Sequence, residues 1–192
     1  MAAENALFGT VPDRYGYSRY SVVVHAPLEV ADKVQCFRQE IGMPDFKTEP
    51  HVSISDTLYG LDDLNVLKAT VRELASSFTP ISILFSDPPF SSRTGLGVFE
   101  VQSTPQLLKL RHHVVQALSR IIKSHTTPGR SYWPHMTLYQ RASEEASGRA
   151  AASGPALDLG EGFDALSLDF VGLMGMPGEG TRRIIEAFPF AG

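Results

Sequence analysis

Two short stretches carry residue types that could do chemistry at a matched spacing: Pro50-His51-Val52-Ser53-Ile54 and Pro134-His135-Met136-Thr137-Leu138. Both read proline, histidine, apolar, hydroxyl, apolar. Histidine is the side chain whose ordinary pKa lets it take up and release a proton near neutrality. A serine or threonine hydroxyl can donate a hydrogen bond to oxygens that gain negative charge in a reaction. A single such pair would mean little, because a histidine on a strand is usually a satisfied, half-buried residue. At ordinary residue frequencies one histidine has roughly a two per cent chance of fitting the pattern, and two of six doing so is on the order of one in a hundred. The repetition points to two half-sites facing one substrate.

The elements that must hold these groups follow from the spacing. Successive side chains of a strand alternate between faces, so each histidine shares a face with the hydroxyl two residues on. Val52, Ile54, Met136 and Leu138 then point the other way, into a core. Each proline suits a strand start, where its missing N–H costs little. By the same alternation Trp133, His135, Thr137 and Tyr139 share a face. Trp133 or Tyr139 could therefore stack on a nucleobase, with core or rim packing an equal claim on both.

The segments His51-Val52-Ser53-Ile54 and His135-Met136-Thr137-Leu138 resemble the paired H-x-(S/T)-x motifs of the two-histidine (2H) phosphoesterase superfamily, the 2′,5′ RNA ligase-like and cyclic nucleotide phosphodiesterase proteins. The gap between them also resembles that family's, and Ser53 stands where the family commonly has threonine. The resemblance implies His51 and His135 as catalytic residues and Ser53 and Thr137 as substrate-binding ones, with no metal and no cofactor. The activity implied is a metal-independent phosphodiesterase opening 2′,3′-cyclic phosphates of nucleotides or RNA ends. One neutral imidazole would take a proton from the attacking water, and the other, protonated, would give one to the departing ribose oxygen. Which histidine does which is not legible in the sequence. The alternatives are a 2′,5′ RNA ligase, whose step is the microscopic reverse, and a non-catalytic module binding an RNA end or nucleotide.

Composition narrows the field. At 192 residues the chain is expected to form a single domain, 1–192, with a sizeable core. A formal charge of −4 argues against a broad basic face for duplex nucleic acid, though not against a small phosphate pocket. Cys36 is alone, so no intrachain disulfide forms, and a reducing, cytoplasmic setting is expected. No run suits a signal peptide or a membrane span. A monomer is expected. There is no H-E-x-x-H, no Walker-type glycine loop and no G-x-S-x-G. His112 and His113, being adjacent, point apart and make a poor metal pair.

Along the chain, residues 1–19 read as an arm laid over the domain, and Ser21–His25 as a buried strand ended by a structural His25. Pro27 opens a helix whose Val30, Val34, Phe37 and Ile41 share a face and which Gly42 ends. Asp62 or Asp63 caps a second helix with the stripe Leu64, Leu67, Val71, Leu74 and Phe78. Ile81–Phe85 and Leu96–Val101 read as strands joined by a polar connection containing Arg93, a residue that could reach a phosphate but reads more simply as solvated. Thr104-Pro105 starts a third helix striped by Leu107, Leu110, Val114, Leu118 and Ile121. His125 falls in a polar loop. Residues 142–162, rich in Ala, Ser and Gly, read as a flexible loop. Phe163–Gly175 and Thr181–Phe188 read as strands around the hairpin signal Pro177-Gly178-Glu179-Gly180. The sum is an α+β bilobal fold, two small antiparallel sheets lining a central cleft with helices outside.

Overall fold

The computed structural model describes residues 12–46, 48–59, 61–93, 95–124, 131–174 and 181–192. Among the described residues there are ten strands: β1 (Arg19–His25), β2 (His51–Ser53), β3 (Leu58–Tyr59), β4 (Ile81–Arg93), β5 (Leu96–Val101), β6 (Lys123–Ser124), β7 (His135–Gln140), β8 (Gly162–Ala165), β9 (Ser167–Met174) and β10 (Thr181–Pro189). The helices are α1 (Leu28–Glu40), α2 (Leu64–Ser76), α3 (Pro105–Leu118) and α4 (Glu144–Ser153). The expected α+β class holds, and each antiparallel half is visible: β10-β9-β1-β2 on one side and β7-β5-β4-β8 on the other. The halves meet edge to edge at β2 and β7, through the pair Val52–Met136, so they form one curled sheet.

Alternation explains which face of this sheet is dry. Tyr20, Val22 and Val24 of β1, Val52 and Ile54 around β2, and Met136 and Leu138 of β7 are all buried in one cluster with the helix stripes. The stripes are those the periodicity predicts. Val30, Val34, Phe37 and Ile41 of the first, Leu67, Val71, Leu74 and Phe78 of the second, and Leu107, Leu110, Val114 and Leu118 of the third are buried. Ile121 is only half-buried, because α3 stops at Leu118 and Ile122 takes the next core place. The caps also agree: the Asp63 carboxylate accepts from Asn65 N, and the Thr104 hydroxyl from Leu107 N.

Three expectations need correcting. Within 142–162 a helix runs from Glu144 to Ser153, so this stretch is not a loop throughout. Ser143 caps it by accepting from Ala146 N, Glu144 and Glu145 sit at the positive end of its dipole, and Ala146 and Ala150 are buried. Alanine is the best helix former, but its small side chain leaves almost no apolar period to read. The strand predicted over Ile81–Phe85 continues to Arg93, with Pro88 and Pro89 in the irregularity between Phe85 and Phe90 where no ladder N–H is required. The arm of residues 1–19 is described only from Pro12. Tyr17 there packs on Tyr20 with ring centroids 5.6 Å apart, and Arg19 already belongs to β1. His125 and the Pro177–Gly180 hairpin lie outside the described residues.

The third correction concerns the face of β7. Gly97 pairs with Tyr139 but Val98 pairs with Thr137, so Leu138 is an extra residue, a β-bulge. Arg38, buried on α1, donates from Nε to the Leu138 carbonyl at 2.6 Å. Beyond the bulge the alternation shifts by one: Tyr139 turns into the core, fully buried, and is no platform for a base. Its ring lies flat over Gly97, where a Cβ would meet the ring at 2.1 Å. Gly97→Ala is therefore expected to destabilise the fold by about 1–3 kcal/mol, the usual cost of overpacking. A thermal melt of the variant at the parental temperature would show that Tyr139 can move aside freely.

Candidate active site

The sheet's opposite, concave face holds a cleft of about 270 Å³. His51, Ser53, His135 and Thr137 all line it, as the duplicated motif requires. The reason is local. β2 and β7 run antiparallel about Val52–Met136, so the same register sets His51 opposite Thr137 and Ser53 opposite His135. A local two-fold thus relates the motifs, and the two histidines are diagonal neighbours, which stand roughly 7–8 Å apart in such a ladder. That leaves room for a tetrahedral group between them.

Both imidazoles are held in the same way. His51 Nδ1 lies 2.6 Å from the Glu49 carbonyl, and His135 Nδ1 lies 2.8 Å from the Trp133 carbonyl. A carbonyl only accepts, so each Nδ1 carries the proton and each Nε2 is left for the cleft. The two hydroxyls, Ser53 and Thr137, are hydrogen-bonded to no other described residue. Tyr132 braces the first motif from the second by donating its hydroxyl to the Ser53 carbonyl at 2.9 Å. Burial pushes the Tyr132 phenol up to about 12, so it stays a donor at any working pH.

The two histidines differ in setting. His51 is buried, and Arg182 donates from Nη1 to its Nε2. Burial first, then the Arg182 guanidinium, hold its pKa well below the usual histidine range. His135 is half-buried, and the Trp133 indole stacks on it with centroids 4.3 Å apart and 29° between planes. The Arg93 guanidinium lies 5.5 Å from the centre of the same indole. Trp133 and Arg93 therefore flank the second histidine from outside the cleft wall.

Two arginines in the cleft were not singled out from the sequence. Arg19 of β1 and Arg182 of β10 both pair with Leu173 of β9, so the three stand in one row across three strands and on one face. Alternation from His25 back along β1 puts Arg19 on the cleft face, but only the sheet order brings Arg182 beside it. Gln140 joins the lining through the Leu138 bulge, and Phe46 and Thr48 close the rim. His25, read as structural, hydrogen-bonds Asp169 at 2.6 Å from Nδ1 and packs 5.7 Å from the His51 ring. His112 and His113 are exposed on α3, away from the cleft lining. Among the described residues no three His, Cys, Asp or Glu side chains converge as a metal site would require, and no helix is long and apolar enough to cross a membrane.

This architecture is shared with solved structures. E. coli LigT complexed with 3′-AMP superposes with a TM-score of 0.61 at 14% identity, over 91% of this chain and 98% of that one. TT0787 of Thermus thermophilus gives 0.60 at 16% identity, again over 91% and 98%. No curated protein sequence matches the chain. At these identities the likeness is one of fold, and the family rests on the sequence itself. The 2′-5′ RNA ligase superfamily's sequence model matches residues 26–157, well over half the chain and both histidine motifs, so the chain belongs to that superfamily of two-histidine phosphoesterases.

Proposed function

We propose that the protein opens 2′,3′-cyclic phosphates of nucleotides or RNA ends to phosphomonoesters, with His51 as general base and His135 as general acid. The observation that carries this is the symmetry of the site: two Nδ1–H imidazoles, diagonal across one antiparallel pair, each with an unengaged hydroxyl beside it. The LigT structure holding 3′-AMP supports a ribose phosphate as the class of ligand.

In the free site Arg182 occupies the His51 lone pair. A phosphate oxygen is a better partner for a guanidinium than an imidazole is. Substrate binding would draw Arg182 onto a nonbridging oxygen and release Nε2. His51, kept neutral by burial, takes a proton from water as its oxygen attacks phosphorus. The P–O bond to one ribose oxygen breaks as His135 Nε2–H delivers a proton to that oxygen. Ser53 and Thr137 donate to the nonbridging oxygens, where charge builds. The cycle ends with His51 protonated and His135 neutral, and exchange with water resets both.

Turnover of cyclic-phosphate nucleotides should be bell-shaped in pH, its limbs belonging to the pair of imidazoles. Replacing either His51 or His135 by alanine is expected to cost roughly a hundred to ten thousand-fold in rate. The two should part on an aryl phosphodiester, whose leaving group needs no proton. His135→Ala should then recover to within about tenfold of the parent, and His51→Ala should not. The opposite rescue would exchange the roles, and full activity of folded single variants would refute the mechanism. Activity is also expected to survive exhaustive chelation. Loss with rescue by a divalent ion would move the chemistry to a metal-assisted class.

The low His51 pKa has a consequence for stability. Where the folded-state pKa lies below the unfolded value of about 6.5, the unfolded chain binds more protons as pH falls through that value. The neutral buried imidazole therefore contributes full stability above pH 6.5 or so and loses it on acidification, at a limiting slope of about 1.4 kcal/mol per pH unit. Denaturant melts between pH 7.5 and 5 should show a steeper loss for the parent than for His51→Gln. Parallel losses would mean that His51 becomes charged within the fold.

A further inference from the structure

We infer that Arg19 and Arg182 form a second-phosphate subsite, so that the preferred substrate carries a phosphate on O5′ of the same nucleotide whose cyclic phosphate lies between the histidines. This rests on the diesterase reading above and deepens it.

Two other guanidiniums of this chain withdrawn from solvent are tied to the scaffold. Arg38 donates to the carbonyls of Leu138 and Phe46, with only its Nη2 unpaired among the described residues, and Arg111 donates to the Ile54 carbonyl and pairs with Asp56 at 2.9 Å. Those arginines are built into the scaffold. Arg19 and Arg182 are not. Among the described residues Arg19 Nε, shielded from solvent, meets no acceptor, and Arg182 donates to the neutral His51 ring. Among the described residues no carboxylate lines the cleft. A half-buried cation without a counter-charge loses part of its hydration uncompensated, and two near one another also repel. Burial lowers both guanidiniums, Arg182 to about 10, with Arg19 adding to the effect on Arg182.

Their positions divide the work. One strand separates β1 from β10, so the two α-carbons stand roughly 10 Å apart across Leu173. Arg182 reaches His51 Nε2 and is therefore claimed by the reacting phosphate. Arg19 stands on β1, six residues along the strand from the His25 that pairs with His51, and its Nε side is unpaired among the described residues, the edge with which a guanidinium grips two phosphate oxygens in parallel. A ligand with one phosphate satisfies one of the two cations. A ligand with a second phosphate satisfies both. The chain's net charge of −4 makes this focus of positive charge local to the cleft.

The test compares kcat/KM for adenosine 2′,3′-cyclic phosphate, its 5′-phosphorylated form, and a dinucleotide ending in a cyclic phosphate. The parent should prefer one or both phosphate-bearing substrates by about tenfold to a hundredfold, the usual worth of charge-assisted contacts. Preference for the 5′-monoester alone marks a nucleotide substrate; preference for the dinucleotide alone marks an RNA end. Arg19→Gln should bring the ratio to within roughly threefold, and Arg19→Lys should keep part of it. Should those variants fail to fold, Leu173→Glu sets a carboxylate between the guanidiniums on the half-buried row and should abolish the preference without removing either arginine. Equal turnover of all three substrates by the parent would overturn the subsite and leave the diesterase reading standing. No turnover of any would sink that reading, and calorimetry would then decide the subsite alone. Adenosine 3′,5′-bisphosphate should bind more tightly than 3′-AMP, with the difference lost in Arg19→Gln or Leu173→Glu. Equal affinities would overturn it.

Discussion

The pairing of β2 with β7 is the constraint on which the rest depends. Val52 and Met136 face each other across it, both fully buried, and their side chains tie the two halves of the sheet into one core. Because strand side chains alternate, fixing this apolar pair on the dry face fixes His51, Ser53, His135 and Thr137 on the wet one. A slip of one residue would exchange the faces, turning the imidazoles into the apolar core and Val52 and Met136 into the cleft. The hydrophobic effect that closes the core is therefore the same force that sets the register of the site.

On that support the two half-sites are alike in geometry and unlike in electrostatics. Carbonyls of Glu49 and Trp133 fix the same tautomer in both histidines. The surroundings then break the symmetry, with burial and Arg182 on one side and the Trp133 indole on the other. In the proposed reaction this difference suits the buried ring to the neutral, proton-accepting role. The apolar scaffold supplies the equal placement, and the flanking strands supply the difference.

How much of this was legible in the sequence follows from which interactions are local. The helix stripes, the caps at Asp63 and Thr104 and the two motif strands depend on neighbours a few residues away, and periodicity exposes them. The four motif residues that line the cleft stand out in the sequence because a repeat is itself a local signal. Tyr139 was placed on the wrong face because the Leu138 bulge is set by Gly97 and Arg38, which come from a paired strand and from a helix distant in sequence. The helix over Glu144–Ser153 escaped because its buried face is alanine. Arg19 and Arg182 were invisible for a third reason. Each is an ordinary strand arginine until the order β10-β9-β1 sets them in one row.

The curled sheet also explains why the site needs few dedicated supports. The motif side chains stand on strands whose reverse faces are packed, so their positions are over-determined by the core and not by loops. The exceptions are the places where the ladder is irregular. At the Leu138 bulge, Arg38 must cross from α1 to take up the freed carbonyl, and the same side chain lies 4.7 Å from the centre of the Phe46 ring at the cleft rim. One buried cation thus links helix, bulge and rim, while Gln140, turned outward by that bulge, reaches the cleft. The irregularity that defeats simple alternation is what completes the wall of the site.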